Sequence, residues 1–139
     1  MAICGEEGGI GQQSRRWATH WYEGGTTVGR MFNFIEDILD SIGMAAPGNW
    51  FCFTMDNLAA HKNEAVVALI HGYGHGVAYR APYYAVDGAI EYVFNTLQTS
   101  LRSKMHNITE ENIIQCIYQS IQSIDNFSPY FRNVGFIRN

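Results

Sequence analysis

Two carboxylates in this 139-residue sequence, Asp56 and Glu91, stand where they could hold a divalent cation. Asp56 directly follows the apolar run WFCFTM, in the string FTMDN. In open α/β sheets, the carboxyl ends of strands are where ligand sites form. Glu91 lies early in a helical pattern that follows the turn PYYAVDGA. An acid at a strand end and an acid on a later helix can converge on one ion. Carboxylate oxygens are hard donors that suit Mg2+ or Mn2+. Taken singly, each acid also has an ordinary role. An aspartate after a strand forms turns or caps helices, and a glutamate in a first helical turn complements the helix dipole.

The other candidates read as structural. His71 and His75 flank Gly-Tyr-Gly, and a spacing of four suits one helix face. Gly72, Gly74 and Gly76 interrupt that helix, so the pair is not read as a zinc site. His61 reads as a cap or hydrogen-bonding partner. GEEGGIG lacks the Lys-Ser/Thr end of a phosphate loop. Arg80, Arg102 and Lys104 read as solvated surface charges, and Trp17, Trp21 and Trp50 as core or sheet-face residues. The three cysteines, Cys4, Cys52 and Cys116, are far apart and form no CxxC pair, which argues against a disulfide framework or a zinc site. Cys52 and Cys116 lie in apolar runs and are expected to be buried small hydrophobes in reducing surroundings.

The elements that must position the acids follow from periodicity. Residues 1–4 and the aromatic–polar alternation RWATHWY suggest two strands around a Gly-rich connection. Thr26 or Thr27 can cap a helix over about 28–42, where Met31, Phe34, Ile35, Ile38, Leu39 and Ile42 recur at helical spacing and Gly43 and Pro47 end it. The run 50–55 reads as a buried central strand. A helix over 62–71 and a strand over 76–80 follow, and Pro82 then turns the chain away. Ile90, Val93, Phe94, Leu97 and Leu101 mark a helix over 89–103. Thr109 with Glu110 and Glu111 starts another, and the aromatic tail 127–139 packs on the domain. Strands alternating with helices imply an α/β layer with a partly parallel sheet in one domain spanning 1–139.

Composition bounds the function classes. Apolar residues are 47% and charged residues 16%, which marks a globular chain with enough core to fold without staples. No apolar run reaches the roughly 18–20 residues of a membrane span, and the opening MAICGEEGG has no signal-peptide pattern. The formal net charge is −4, so any DNA contact must rest on a local patch or on a further segment.

With these elements in place, the spacing of the acids gains meaning. FTMDNLAAHKN resembles the second-aspartate motif of the mariner-superfamily transposases: an apolar strand, Asp-Asn, then a histidine four residues after the asparagine, here Asp56, Asn57 and His61. RAPYYAVDGAIEYVF is similar to that family's third-acid motif, matching at Pro82, Tyr83, Ile90 and Glu91, with Phe94 in place of a tryptophan. Thirty-four residues separate Asp56 from Glu91, a spacing the family uses. WYEGGTTVGRMFNFIEDIL and FRNVGF resemble flanking family segments. The departures are Ala81 for a proline, and Tyr84, Ala85, Val86, Asp87, Gly88 and Ala89 where the family has Ser-Pro-Asp-Leu-Asn-Pro.

The resemblance implies a ribonuclease-H-like mixed sheet with flanking helices, and a DDE endonuclease ancestry with Asp56 and Glu91 as catalytic and metal-binding acids. It implies Mg2+ or Mn2+ as cofactor, DNA as partner, and an intracellular setting, nuclear in a eukaryote. Residues 1–4 align best with the second strand of that fold, so the first strand and its aspartate are expected to be missing. A rival alignment places 1–4 on the first strand, with Glu6 or Glu7 as first acid. Family chemistry uses three acids and two metal ions for in-line displacement at phosphorus. Two acids alone imply weak or absent cleavage. A catalytically dead interaction module, or a transposon fragment with no role of its own, is the alternative. A missing central strand would expose strand edges that invite pairing between copies of the chain.

Overall fold

The computed structural model describes residues 1–4, 15–81 and 88–135. In chain order the elements are β1 (Ala2–Cys4), β2 (Arg15–Ala18), α1 (Val28–Ala45), β3 (Cys52–Met55), α2 (Glu64–Gly72), β4 (Gly76–Tyr79), α3 (Ala89–Ser103), a 3-10 turn (Met105–Asn107), α4 (Ile113–Gln122) and α5 (Ser128–Asn133). The α/β class expected from the alternation is present. Among the described residues the strands form two two-stranded sheets, β1 with β2 and β3 with β4. The chain divides into two compact units, one of residues 1–2 and 16–84, the other of 3–15 and 85–139.

The first unit is organised by the β3–α2–β4 crossover. β3 and β4 run parallel, with Cys52 opposite Gly76, Phe53 opposite Val77, Thr54 opposite Ala78 and Met55 opposite Tyr79. Parallel neighbours need a crossover connection, and α2 supplies it. The amide of Arg80 extends the ladder by donating to the carbonyl of Met55 at 2.8 Å. Trp50 covers the start of this pair so closely that a Cβ on Gly76 would lie 2.6 Å from the indole Cζ2. Only a glycine leaves room for that ring.

α1 and α2 provide the core. Met31, Ile35, Ile38, Leu39 and Ile42 form one buried stripe of α1, and Val66 and Ile70 are fully buried one turn apart on α2. Met55 and Ala60 complete the cluster, with Ala2, Phe53 and Val77 among the residues packed against it. Burying each of these large aliphatic side chains is worth about 1.5–3 kcal/mol relative to exposure. Thr27 is the N-cap of α1, its hydroxyl accepting from the Arg30 amide at 3.3 Å. Asn63 caps α2 in the same way through the Ala65 amide at 3.0 Å.

The second unit is helical over its described residues 88–135. Ala89, Val93 and Leu97 form the buried stripe of α3, and Ser120, Ile121, Phe127 and Ser128 are buried on α4, on the connection to α5, and at its start. α3 packs against both α4 and α5. The Ser100 and Ser120 hydroxyls meet at 3.4 Å between α3 and α4.

Several expectations are corrected. The run 50–55 is not buried on both faces: Cys52 and Thr54 are exposed, Phe53 is half-buried and Met55 is buried. A two-stranded sheet covered by α1 and α2 on one side leaves alternate residues facing out. Cys52 is therefore an exposed thiol, and Cys116 is half-buried. Trp50 and Trp21 are 59% and 48% exposed, so neither is a core residue. α1 continues past Gly43 to Ala45, because its register still buries Ile42 and the Ala46 amide closes the last turn on the Ile42 carbonyl. α4 begins at Ile113 rather than at Glu110. Thr109 donates its amide to the Asn112 side chain at 2.7 Å, and a turn precedes the helix. β2 ends at Ala18, short of the expected Tyr22. Tyr83, Pro82 and the rest of 82–87, Glu6 and Glu7, the string GEEGGIG, and the last four residues lie outside the described residues.

Candidate functional site

Asp56 is the first residue after β3, at the carboxyl end of a parallel strand pair. Its Oδ1 accepts the Leu58 amide at 3.1 Å, the Asx turn that an aspartate makes when a strand ends. The same oxygen lies 2.6 Å from Nδ1 of His61. The approach is a close electrostatic contact and not an aligned hydrogen bond, since Nδ1 of His61 has no hydrogen-bond partner among the described residues. Both contacts fall on Oδ1. Oδ2 is engaged by nothing among the described residues, and the side chain is 51% exposed.

The remaining motif residues hold this loop in place. The Asn57 amide nitrogen donates to the carbonyl of Arg80, tying the end of β3 to the end of β4. The hydroxyl of Tyr79 donates to the carbonyl of His61 at 2.9 Å, and the Lys62 ammonium lies 5.6 Å from the centre of the Tyr79 ring. Asn63 then starts α2. The string from Asp56 to Asn63 thus closes on the ends of β3 and β4 through Asp56, Asn57 and His61. Each has a geometric task that its residue type supplies: an acceptor that forms an Asx turn, a side-chain donor that spans two strands, and a ring nitrogen that stands against the acid.

Glu91 lies in the first turn of α3, three residues after the N-cap Gly88, and is half-buried. It belongs to the second unit, whereas Asp56, Asn57 and His61 belong to the first. No three of His, Cys, Asp or Glu gather around one point among the described residues. His71 and His75 do not form a pair on one helix face. His71 lies in the last turn of α2, and His75 follows the turn at Gly74, whose φ of +84° favours glycine. The Nδ1 of His75 accepts the Phe51 amide at 3.4 Å, and burial lowers its proton affinity below the ordinary histidine value.

Among the described residues, what Asp56 offers an ion is one carboxylate oxygen, Oδ2, hard and on a half-exposed side chain. Such a donor fits a divalent ion held by one carboxylate and water, and falls short of two ions bridged by three acids.

Sequence reading missed a second polar constellation in this unit. His20 places Nε2 2.8 Å from Oδ2 of Asp37 and Nδ1 2.8 Å from the hydroxyl of Tyr22. Its ring stands edge-on to Phe34 at 5.0 Å. The sequence signal was faint: one histidine and one tyrosine two apart in an aromatic string, and an aspartate on the opposite side of a loop. No helix of the described residues is long and apolar enough to cross a membrane. No protein-family model, curated protein or solved structure matches the chain.

Proposed function

We propose that the chain is a transposase-derived domain of the DDE endonuclease class, with a ribonuclease-H-like ancestry, whose remaining metal site is built on Asp56. The observation that carries this reading is local. The Asp-Asn-x-x-x-His string stands at the carboxyl end of a parallel strand, with Oδ1 of Asp56 held by the Leu58 amide and by His61 and Oδ2 left outward. The βαβ unit that presents it is what a ribonuclease-H-like sheet would require at this point.

In this reading Asp56 Oδ2 holds one Mg2+ or Mn2+, and Glu91 is the second acid. A bound ion supplies positive charge beside a phosphodiester oxygen. The chain's own residues orient the donor: His61 and the Leu58 amide fix the carboxylate plane, and Asn57 fixes the loop to β4. DNA is the partner class, bound weakly by an acidic chain. With one well-placed carboxylate, cleavage is expected to be weak or absent.

The test is calorimetric titration of MnCl2 and MgCl2 into the folded chain and into Asp56→Ala and Glu91→Ala. Binding that vanishes in both variants means that the two acids share an ion. Loss in Asp56→Ala alone leaves a one-carboxylate site. Absence of binding in the folded parent chain overturns the metal-site reading.

A cleft of about 230 Å³ favours the second reading, an interaction module without catalysis. It is lined by Leu39, Ile42, Pro47, Trp50, Tyr73 and His75, among others. Trp50 and Tyr73 are both at least half exposed there, and aromatic residues of this kind anchor contacts in binding sites.

A further inference from the structure

We infer that Tyr22 is an activated nucleophile, assembled by His20, Asp37 and Arg30, that accepts an acyl group from an activated carboxylic ester. This site shares no residue with the Asp56 loop, and the inference stands whether or not a metal binds there.

Proton bookkeeping fixes the roles. The Asp37 carboxylate only accepts, so the 2.8 Å contact to His20 requires the hydrogen on Nε2. In a neutral imidazole, Nδ1 is then bare and accepts. At 2.8 Å from Nδ1, the hydroxyl of Tyr22 must donate. The order is nucleophile, base and orienting carboxylate, with hydrogen-bond distances at both joints, which is the geometry that activates a weak hydroxyl nucleophile. Phe34 sets the plane of the imidazole from the side.

The fourth member is cationic. Arg30 lies with its guanidinium carbon 4.9 Å from the centre of the Tyr22 ring. Its Nη1 donates to the carbonyls of Glu23 at 3.0 Å and Gly25 at 2.8 Å, which locks the head group in place. Gly24, at φ +85°, lets the loop turn both carbonyls toward that nitrogen. The positive charge is thereby fixed over the face of the ring that carries the hydroxyl, where it favours phenolate character as the proton leaves. Tyr22 is 41% exposed, so an electrophile can reach it. A bland loop clasp would need only one of these contacts. Here base and orienter address one exposed hydroxyl, and the cation lies over its ring.

The step balances within the site. Oη of Tyr22 forms a bond to the ester carbonyl carbon, and the bond from that carbon to the departing aryloxide breaks. The phenolic proton passes to Nδ1 of His20 and from there to the aryloxide. Asp37 remains ionised, accepting the Nε2 hydrogen throughout. The product is an O-acyl Tyr22, one per chain.

The probe is p-nitrophenyl acetate with the full chain, following p-nitrophenolate release and mapping acetylation by peptide mass spectrometry. Tyr73, 50% exposed and with its hydroxyl hydrogen-bonded to no other described residue, is the comparator in the same molecule. Tyr22 is expected to label on the order of 100-fold faster than Tyr73, the scale of a positioned general base. That ratio should collapse toward 1 in His20→Ala and in Asp37→Asn, the latter keeping the shape while spoiling the tautomer. A Tyr22 to Tyr73 ratio near 1 in the parent chain overturns the proposal, whatever the variants do. So does a high ratio that survives both substitutions, since the reactivity would then owe nothing to the relay.

Discussion

Replacing Asp56 by alanine or by asparagine separates what this residue does for the fold from what it could do for an ion. Alanine removes both acceptor contacts on Oδ1. The Leu58 amide bond, at 3.1 Å, goes to a half-exposed carboxylate, where water holds its worth to about 0.5–1.5 kcal/mol net, that of an ordinary hydrogen bond. The His61 contact is short, but the carboxylate is half in water, so screening holds its worth to about 0.2–1 kcal/mol. Asp56→Ala is therefore expected to cost about 1–2 kcal/mol in the absence of any metal. Asparagine keeps an Oδ1 for the Asx turn and loses only the charge, so Asp56→Asn should cost about 0.2–1 kcal/mol. Urea unfolding in EDTA, followed by circular dichroism, reads both. With a slope of about 2 kcal/mol/M, alanine should lower the midpoint by roughly 0.5–1 M. If Asp56→Ala lies within about 0.3 kcal/mol of the parent chain, the Oδ1 contacts hold nothing and the geometric account of the loop is wrong. If the two variants are equal, the Asx turn contributes nothing.

Two further outcomes follow from the first unit. Ile70 is fully buried among the core residues of α1 and α2, so Ile70→Ala should destabilise by about 2–5 kcal/mol, measured by the same urea titration. His75 takes up a proton less readily in the fold than in the unfolded chain, because burial disfavours the charged ring. The unfolded state then binds more protons as pH falls through its ordinary value of about 6.5, so stability declines below that pH and is fully present above it. His75→Asn keeps an acceptor for the Phe51 amide and should flatten this decline. A parent chain and variant with equal slopes between about pH 7.5 and 5.5 would refute the assignment.

The helices were legible wherever the apolar period was strong. Met31, Ile35, Ile38 and Ile42 announce α1, and Val93 and Leu97 announce α3. The parallel relation of β3 and β4 was legible too, because a helix-length pattern lies between two short apolar runs. What failed was depth. An apolar run such as WFCFTM carries no sign of how many layers will cover it. Cys52 read as core, but α1 and α2 cover only one face. α5 was hidden because SPYFRN is a single short helix with a proline in its first turn, and six residues carry too little period to be counted. In the candidate site, the sequence displayed Asp56, Asn57 and His61 as a string. It did not show that Asn57 reaches Arg80 or that His61 turns back to Asp56. The first contact depends on where β4 ends, 23 residues on, and the second on how the loop turns between Asp56 and His61.

The two histidine–aspartate pairs of the first unit show why residue type alone underdetermines chemistry. Each aspartate stands within 2.8 Å of one ring nitrogen of its histidine. At His61 the nitrogen that meets the acid is Nδ1, and the backbone carbonyl of the same residue is pinned by Tyr79. The histidine is the fixed member there, and its effect is to orient the Asp56 carboxylate for whatever Oδ2 meets. At His20 the donor is Nε2, on a carboxylate 60% exposed on α1, and the freed Nδ1 takes the proton of Tyr22. The aspartate is the orienting member there, and its effect passes through the ring to a hydroxyl. One pair presents an acceptor outward, and the other draws a proton inward. Hence the substitutions that test them differ in kind. Removal of His61 should disturb the placement of an anion, whereas removal of His20 should cost a rate.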